Sequence, residues 1–86
     1  MLIVWDVKCR GTPATRFYRA LFGYDYRTKH GTAHSNGVLD EIPRECWEFV
    51  SRSALLIEKR YARLVEEVFR EFEEVLKWMR FEVVRR

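Results

Sequence analysis

Residues 53–85, SALLIEKRYARLVEEVFREFEEVLKWMRFEVVR, decide the fold, because two hydrophobic periods meet in them. Ser53–Lys59 has a continuous apolar centre between polar ends, which predicts a buried strand. Tyr61, Leu64, Val65, Val68, Phe72, Val75, Leu76 and Met79 then recur at helical spacing and predict a long helix with one apolar stripe. Its other face carries Glu66, Arg70, Glu73, Glu74 and Lys77, with Glu66–Arg70 and Glu73–Lys77 spaced as helical ion pairs. Each such pair is worth only about 0.2–0.5 kcal/mol, so burial of the stripe must hold this helix in place. Phe81–Arg85 alternates apolar and polar residues and predicts a closing strand.

Working toward the amino end, Leu2–Val7 (LIVWDV) is β-branched and aromatic, as a central strand should be. Thr12 before Pro13 marks a helix start, a hydroxyl cap followed by proline where its missing N–H costs nothing. Ala14, Phe17, Tyr18, Leu21 and Phe22 form its apolar stripe, Arg16 and Arg19 share an outer flank, and Gly23 ends it. Thr28–Gly37 (TKHGTAHSNG) is polar and reads as a long loop. Two segments compete for the remaining strand. One is Gly37–Ile42, stopped by Pro43, and the other is Trp47–Ser51, preceded by a helical turn from Pro43.

The order is β-α-β-β-α-β. With right-handed crossovers it predicts an α+β, ferredoxin-like domain: a four-stranded antiparallel sheet with two helices on one face. The other sheet face is left uncovered. Since Leu2 and Val4 alternate with Ile3 and Trp5, both faces of the first strand want burial, and a homodimer through the open face or an edge strand supplies it.

At 86 residues and 48% hydrophobic composition the chain is one domain, residues 1–86, and not a disordered polymer. No apolar run approaches the roughly 20 residues of a membrane span, and Leu2–Trp5 is too short for a signal-peptide core. A cytoplasmic location is therefore expected. The net charge of +3 is unevenly spread: residues 1–30 hold six Lys/Arg against two Asp. The chain has no Gln and one Asn beside 34% charged residues, a thermophile-like bias. Cys9 and Cys46 form no CxxC pattern and read as two free thiols or one long-range disulfide.

Four constellations could carry chemistry. Asp6 ends an apolar strand, where a carboxylate can cap loop amides, pair with Lys8 or Arg10, or bind magnesium, two copies sharing one ion across a dimer axis. Lys8, Arg10, Arg16, Arg19, Arg27, Lys29 and His30 are interleaved with Tyr18, Tyr24 and Tyr26. Cations meet phosphates and exposed tyrosines stack bases, so this segment predicts contact with RNA or DNA, against a plain solvated face. His30 and His34 are four apart but lie in a glycine-containing segment without a third zinc ligand at set spacing, and phosphate or solvent is their expected contact. Asp40 and Glu41 are adjacent, so on a strand they would point to opposite faces and act as edge charges. A glycine-rich phosphate loop, a nucleophile elbow and HExxH are all missing, which argues against nucleotide hydrolases and metalloproteases.

The opening LIVWDV, with the Arg-bearing helix RFYRALFG after it, resembles the small ferredoxin-like endoribonucleases of the CRISPR adaptation machinery and their toxin relatives. That resemblance implies a homodimeric, magnesium-dependent endonuclease in which Asp6 is the metal-binding, catalytic carboxylate. The stretch RFYRALFGYDYRTKHG is also similar to segments of short archaeal proteins. The leading expectation is a small nucleic-acid-binding module that needs no cofactor. The alternatives are the magnesium-dependent nuclease and a non-enzymatic interaction or regulatory subunit.

Overall fold

Strand β1 (Leu2–Val7) runs through the middle of a four-stranded sheet in the computed structural model, which describes residues 1–8 and 10–83. Its alternation sorts the sheet into two faces. Ile3 and Trp5 are buried, whereas Leu2 and Val4 are half-buried and Asp6 is exposed. Helix α1 (Thr12–Phe22) follows, with proline in its first turn and the Thr15 hydroxyl donating to the Gly11 carbonyl at 3.1 Å. Phe17 and Leu21 of the predicted stripe are buried. The helix closes on Gly23, whose N–H donates to the Arg19 carbonyl at 2.8 Å.

Thr28–Gly37 is not a loop. Strands β2 (Tyr24–Thr28) and β3 (Gly31–Ser35) pair antiparallel as a separate hairpin that turns at Lys29 and His30. Polar strands such as Tyr-Asp-Tyr-Arg-Thr bury little, so hydrophobicity alone does not reveal them. Of the two segments weighed for the remaining strand, Trp47–Ser51 becomes β4, after a 3₁₀ turn over Arg44–Cys46. Val38–Glu41 is a 3₁₀ turn instead, with the Asp40 carboxylate accepting the Gly37 N–H at 2.9 Å. Strand β5 (Ala54–Ile57), helix α2 (Lys59–Glu71) and strand β6 (Leu76–Phe81) complete the chain.

The second helix is shorter than its apolar spacing predicts. It stops at Glu71, and residues 76–81 pair with the whole of β1, from Leu2↔Phe81 to Val7↔Leu76. Leu76 and Trp78 turn inward while Lys77, Met79 and Phe81 turn outward. Leu76 and Met79 fit a helical stripe only by coincidence, and docking a strand on the sheet centre buries more than further exposed helical turns would. The predicted ion pairs change with it. Glu66 is buried at 5% exposure and accepts from Arg80 at 2.6 Å, not from Arg70. Lys77 lies beyond the helix, so its i,i+4 relation to Glu73 is lost. Of the predicted strand Phe81–Arg85, Phe81 ends β6, Glu82 and Val83 are not strand, and Val84 and Arg85 lie outside the described residues.

The sheet order is β4-β5-β1-β6, every neighbouring pair antiparallel. Trp5 meets Phe17 of α1 (ring centroids 6.3 Å apart) and Phe69 of α2 (5.3 Å), and those two phenylalanines meet at 5.2 Å. This edge-to-face cluster is the centre of the core. Cys46 is a buried free thiol, and Cys9 lies outside the described residues. Among the described residues no helix is long and apolar enough to cross a membrane.

Candidate nucleic-acid interface

Neither strand of the hairpin has a buried residue. All five residues of β2 are exposed. Alternation puts Tyr24 and Tyr26 on one face, their rings 6.0 Å apart, and Asp25 and Arg27 on the other. The guanidinium of Arg19 lies 4.5 Å from the Tyr24 ring centre, a cation–π contact from the end of α1. Arg16 is exposed one turn earlier on the same helix. Basic side chains also crown the hairpin. Lys29 and His30 keep negative φ, because the one left-handed residue of the reversal is Gly31, at φ 125°. Thr28 steadies that reversal: its hydroxyl donates to the Gly31 carbonyl at 2.9 Å and accepts the His30 N–H at 3.2 Å.

The base of the hairpin is tied down by contacts that periodicity does not show. Gly23 and Gly37 meet backbone to backbone. A Cβ on Gly23 would stand 2.3 Å from the Ser35 carbonyl, and one on Gly37 would stand 2.2 Å from the Gly23 nitrogen. His34 joins two elements. Its Nδ1 lies 2.7 Å from the Asp25 carboxylate across the hairpin, and its Nε2 lies 2.9 Å from the Asp40 carboxylate in the following turn. The Asp40 hydrogen bond, and then the Asp25 one, raise the His34 pKa above its ordinary 6.5, so the two carboxylates favour the protonated ring. Asp40 is lowered in turn, by His34 first and then by the Gly37 N–H.

The predicted site residues therefore divide by position. Arg19, Tyr24 and Tyr26 come together, with Arg16 behind them and Arg27, Lys29 and His30 toward the tip. Lys8 and Arg10 precede α1, while the hairpin follows it, so about 16 Å of helix separates them. Tyr18 is not part of this surface; it is half-buried and packs against Phe17 and Phe22. Asp6 is exposed at the far end of β1, with Lys77 as its cross-strand neighbour. Asp40 does not sit on a strand edge as expected but holds His34, and Glu41 stands exposed beside it. Among the described residues no group of three His, Cys, Asp or Glu is placed to hold a metal ion.

A cleft of about 630 Å³ opens at the start of α2, lined in part by Met1, Cys46, Glu48, Glu58, Lys59 and Arg60. Its two cations are already engaged, Lys59 with Glu82 at 2.6 Å and Arg60 with Glu58 at 3.1 Å. A hydrogen bond with Glu58 and burial push the Cys46 thiol up, away from thiolate chemistry.

His34 and Asp40 were singled out by the sequence, but their linkage with Asp25 is what sequence reasoning missed. The signal was present in the alternation of Tyr-Asp-Tyr-Arg-Thr and Gly-Thr-Ala-His-Ser about Lys29 and His30, which pairs Asp25 with His34 once read as a hairpin. No protein-family model, curated protein or solved structure matches this chain.

Proposed function

We propose that this protein is a small nucleic-acid-binding module whose contact surface is the β2–β3 hairpin together with the Arg16–Arg19 flank of α1. The observation that carries this reading is the Arg19–Tyr24–Tyr26 cluster on a strand whose five residues are all exposed. Arg16, Arg19, Arg27 and Lys29 meet phosphates. Arg19 covers one side of Tyr24, and Tyr26, at 46% exposure, offers the open ring for a base. A two-stranded ribbon is also of a size that a DNA major groove admits. Lys8 and Arg10 extend the positive surface along a longer strand.

The body is read as a ferredoxin-like βαββαβ domain into which the hairpin is inserted. Two features support that reading. With the hairpin set aside, the sheet runs second, third, first, fourth in chain order, and Trp5 touches both helices.

The test is fluorescence anisotropy with labelled single-stranded RNA, single-stranded DNA and duplex DNA over a range of salt concentrations. Replacing Arg16 and Arg19 together by alanine should weaken binding and reduce the salt slope by about 1.4–1.8, the value for two phosphate contacts. An unchanged slope overturns the proposal. The assay is run with and without magnesium. Cleavage that needs magnesium and is lost in Asp6→Asn would transfer the function to that carboxylate.

A further inference from the structure

The outer face of the four-stranded sheet reads in rows across the strands. One row is Glu48–Leu56–Leu2–Phe81, the next is Ala54–Val4–Met79, and the last is Asp6–Lys77. Leu2, Val4, Ala54 and Leu56 are half-buried, while Met79 and Phe81 are 61% and 47% exposed. The buried aromatic side chains of both helices meet the opposite face, through Trp5 and Trp78. With strands about 4.8 Å apart, the outer face covers roughly 300 Å² in plan. An apolar patch of that size is on the scale of the largest patch of a typical monomer, and such patches are often functional.

The charges on this face show what covers it. Glu48 stands at one corner, on edge strand β4, and Lys77 stands at the diagonally opposite corner, on edge strand β6. Both are exposed, and neither takes part in an ion pair among the described residues. A two-fold axis along the other diagonal crosses two copies of the sheet at close to a right angle, one of the two ways sheets stack. That axis sets Glu48 of each copy over Lys77 of the other, brings the two Phe81 rings together, and stacks the Val4–Ala54 centres. Packing with the strands aligned would instead set Glu48 over Phe81. We propose that the protein is a homodimer through this outer sheet face, in the crossed arrangement. The inference stands independently of nucleic-acid binding, and it places the contact on the sheet rather than on the hairpin.

The experiment is sedimentation velocity of the full chain, freed of nucleic acid, over a concentration series, with circular dichroism on each variant. The wild type is expected to dimerise, and Met79→Asp to abolish the dimer with an unchanged spectrum. Glu48→Lys and Lys77→Glu each turn two attractions per dimer into repulsions and should weaken it about tenfold. The double swap, Glu48→Lys with Lys77→Glu, should restore it. A wild type that stays monomeric throughout overturns the proposal. So does a dimer indifferent to Met79→Asp, or a double swap no stronger than either single one. Because the three positions changed are exposed, failure to fold is not the expected cause of any loss.

Discussion

The body and the hairpin of this molecule are held together by different physics. In the body, Trp5, Phe17 and Phe69 interlock with Ile3, Leu55, Val65 and Leu76, all at or near complete burial. The hairpin has no comparable core. Its order comes from a short ladder, two glycines in backbone contact and one imidazole ring between two carboxylates. The body should therefore respond to volume and the hairpin to charge and backbone space.

The largest expected effect falls on the body. Phe69→Ala removes a ring shared by Trp5, Phe17 and Trp78 and should cost about 3–5 kcal/mol, read by urea denaturation. A loss under 1 kcal/mol would mean that the core is looser than its burial implies. Next comes the junction. Gly37→Ala puts a methyl group into the Gly23 and Leu21 backbone and should cost about 1–3 kcal/mol while opening the hairpin base. Amide hydrogen exchange should then quicken in β2 and β3 more than in β1, and a uniform change would erase the distinction between the two regions.

The smallest effect is the most specific. Because the folded pKa of His34 is raised, its stabilisation is fully present below the ordinary value of 6.5 and is lost as pH rises through the raised value. Asp40 is lowered, so its share is present above its ordinary value of 3.8 and is lost as pH falls through the lowered one. Hairpin protection should thus peak on the acidic side of neutrality. Exchange rates of the β2 and β3 amides against pH would show this, and His34→Gln should flatten the profile on its alkaline limb. A profile identical to wild type would remove His34 from the account of how the hairpin is held.

What sequence could and could not show follows the same division. The apolar elements were legible: Leu2–Val7, the stripe with Phe17 and Leu21, and the strand around Leu55 and Ile57 all lie where their spacing puts them. The end of α2 was not, because Val75, Leu76 and Met79 satisfy a helical period and, in part, a strand period. Only the long-range pairing with β1 selects the strand. The hairpin was not legible either, since its stability lies in hydrogen bonds and charge, which leave no apolar pattern. The basic and aromatic residues near it could be picked out individually. Their grouping depended on the β2 register, which follows only once the alternation about Lys29 and His30 is read as a hairpin, and on the reach of Arg19, which spacing along the chain does not encode.

Gly31 has one more consequence. With the only left-handed torsion of the reversal assigned to a residue that has no side chain, positions 29 and 30 carry no conformational obligation of their own. The crown is thus free to vary in charge and size while the ribbon beneath it keeps its register. A library randomised at those two positions would sample ligand preference on a constant scaffold.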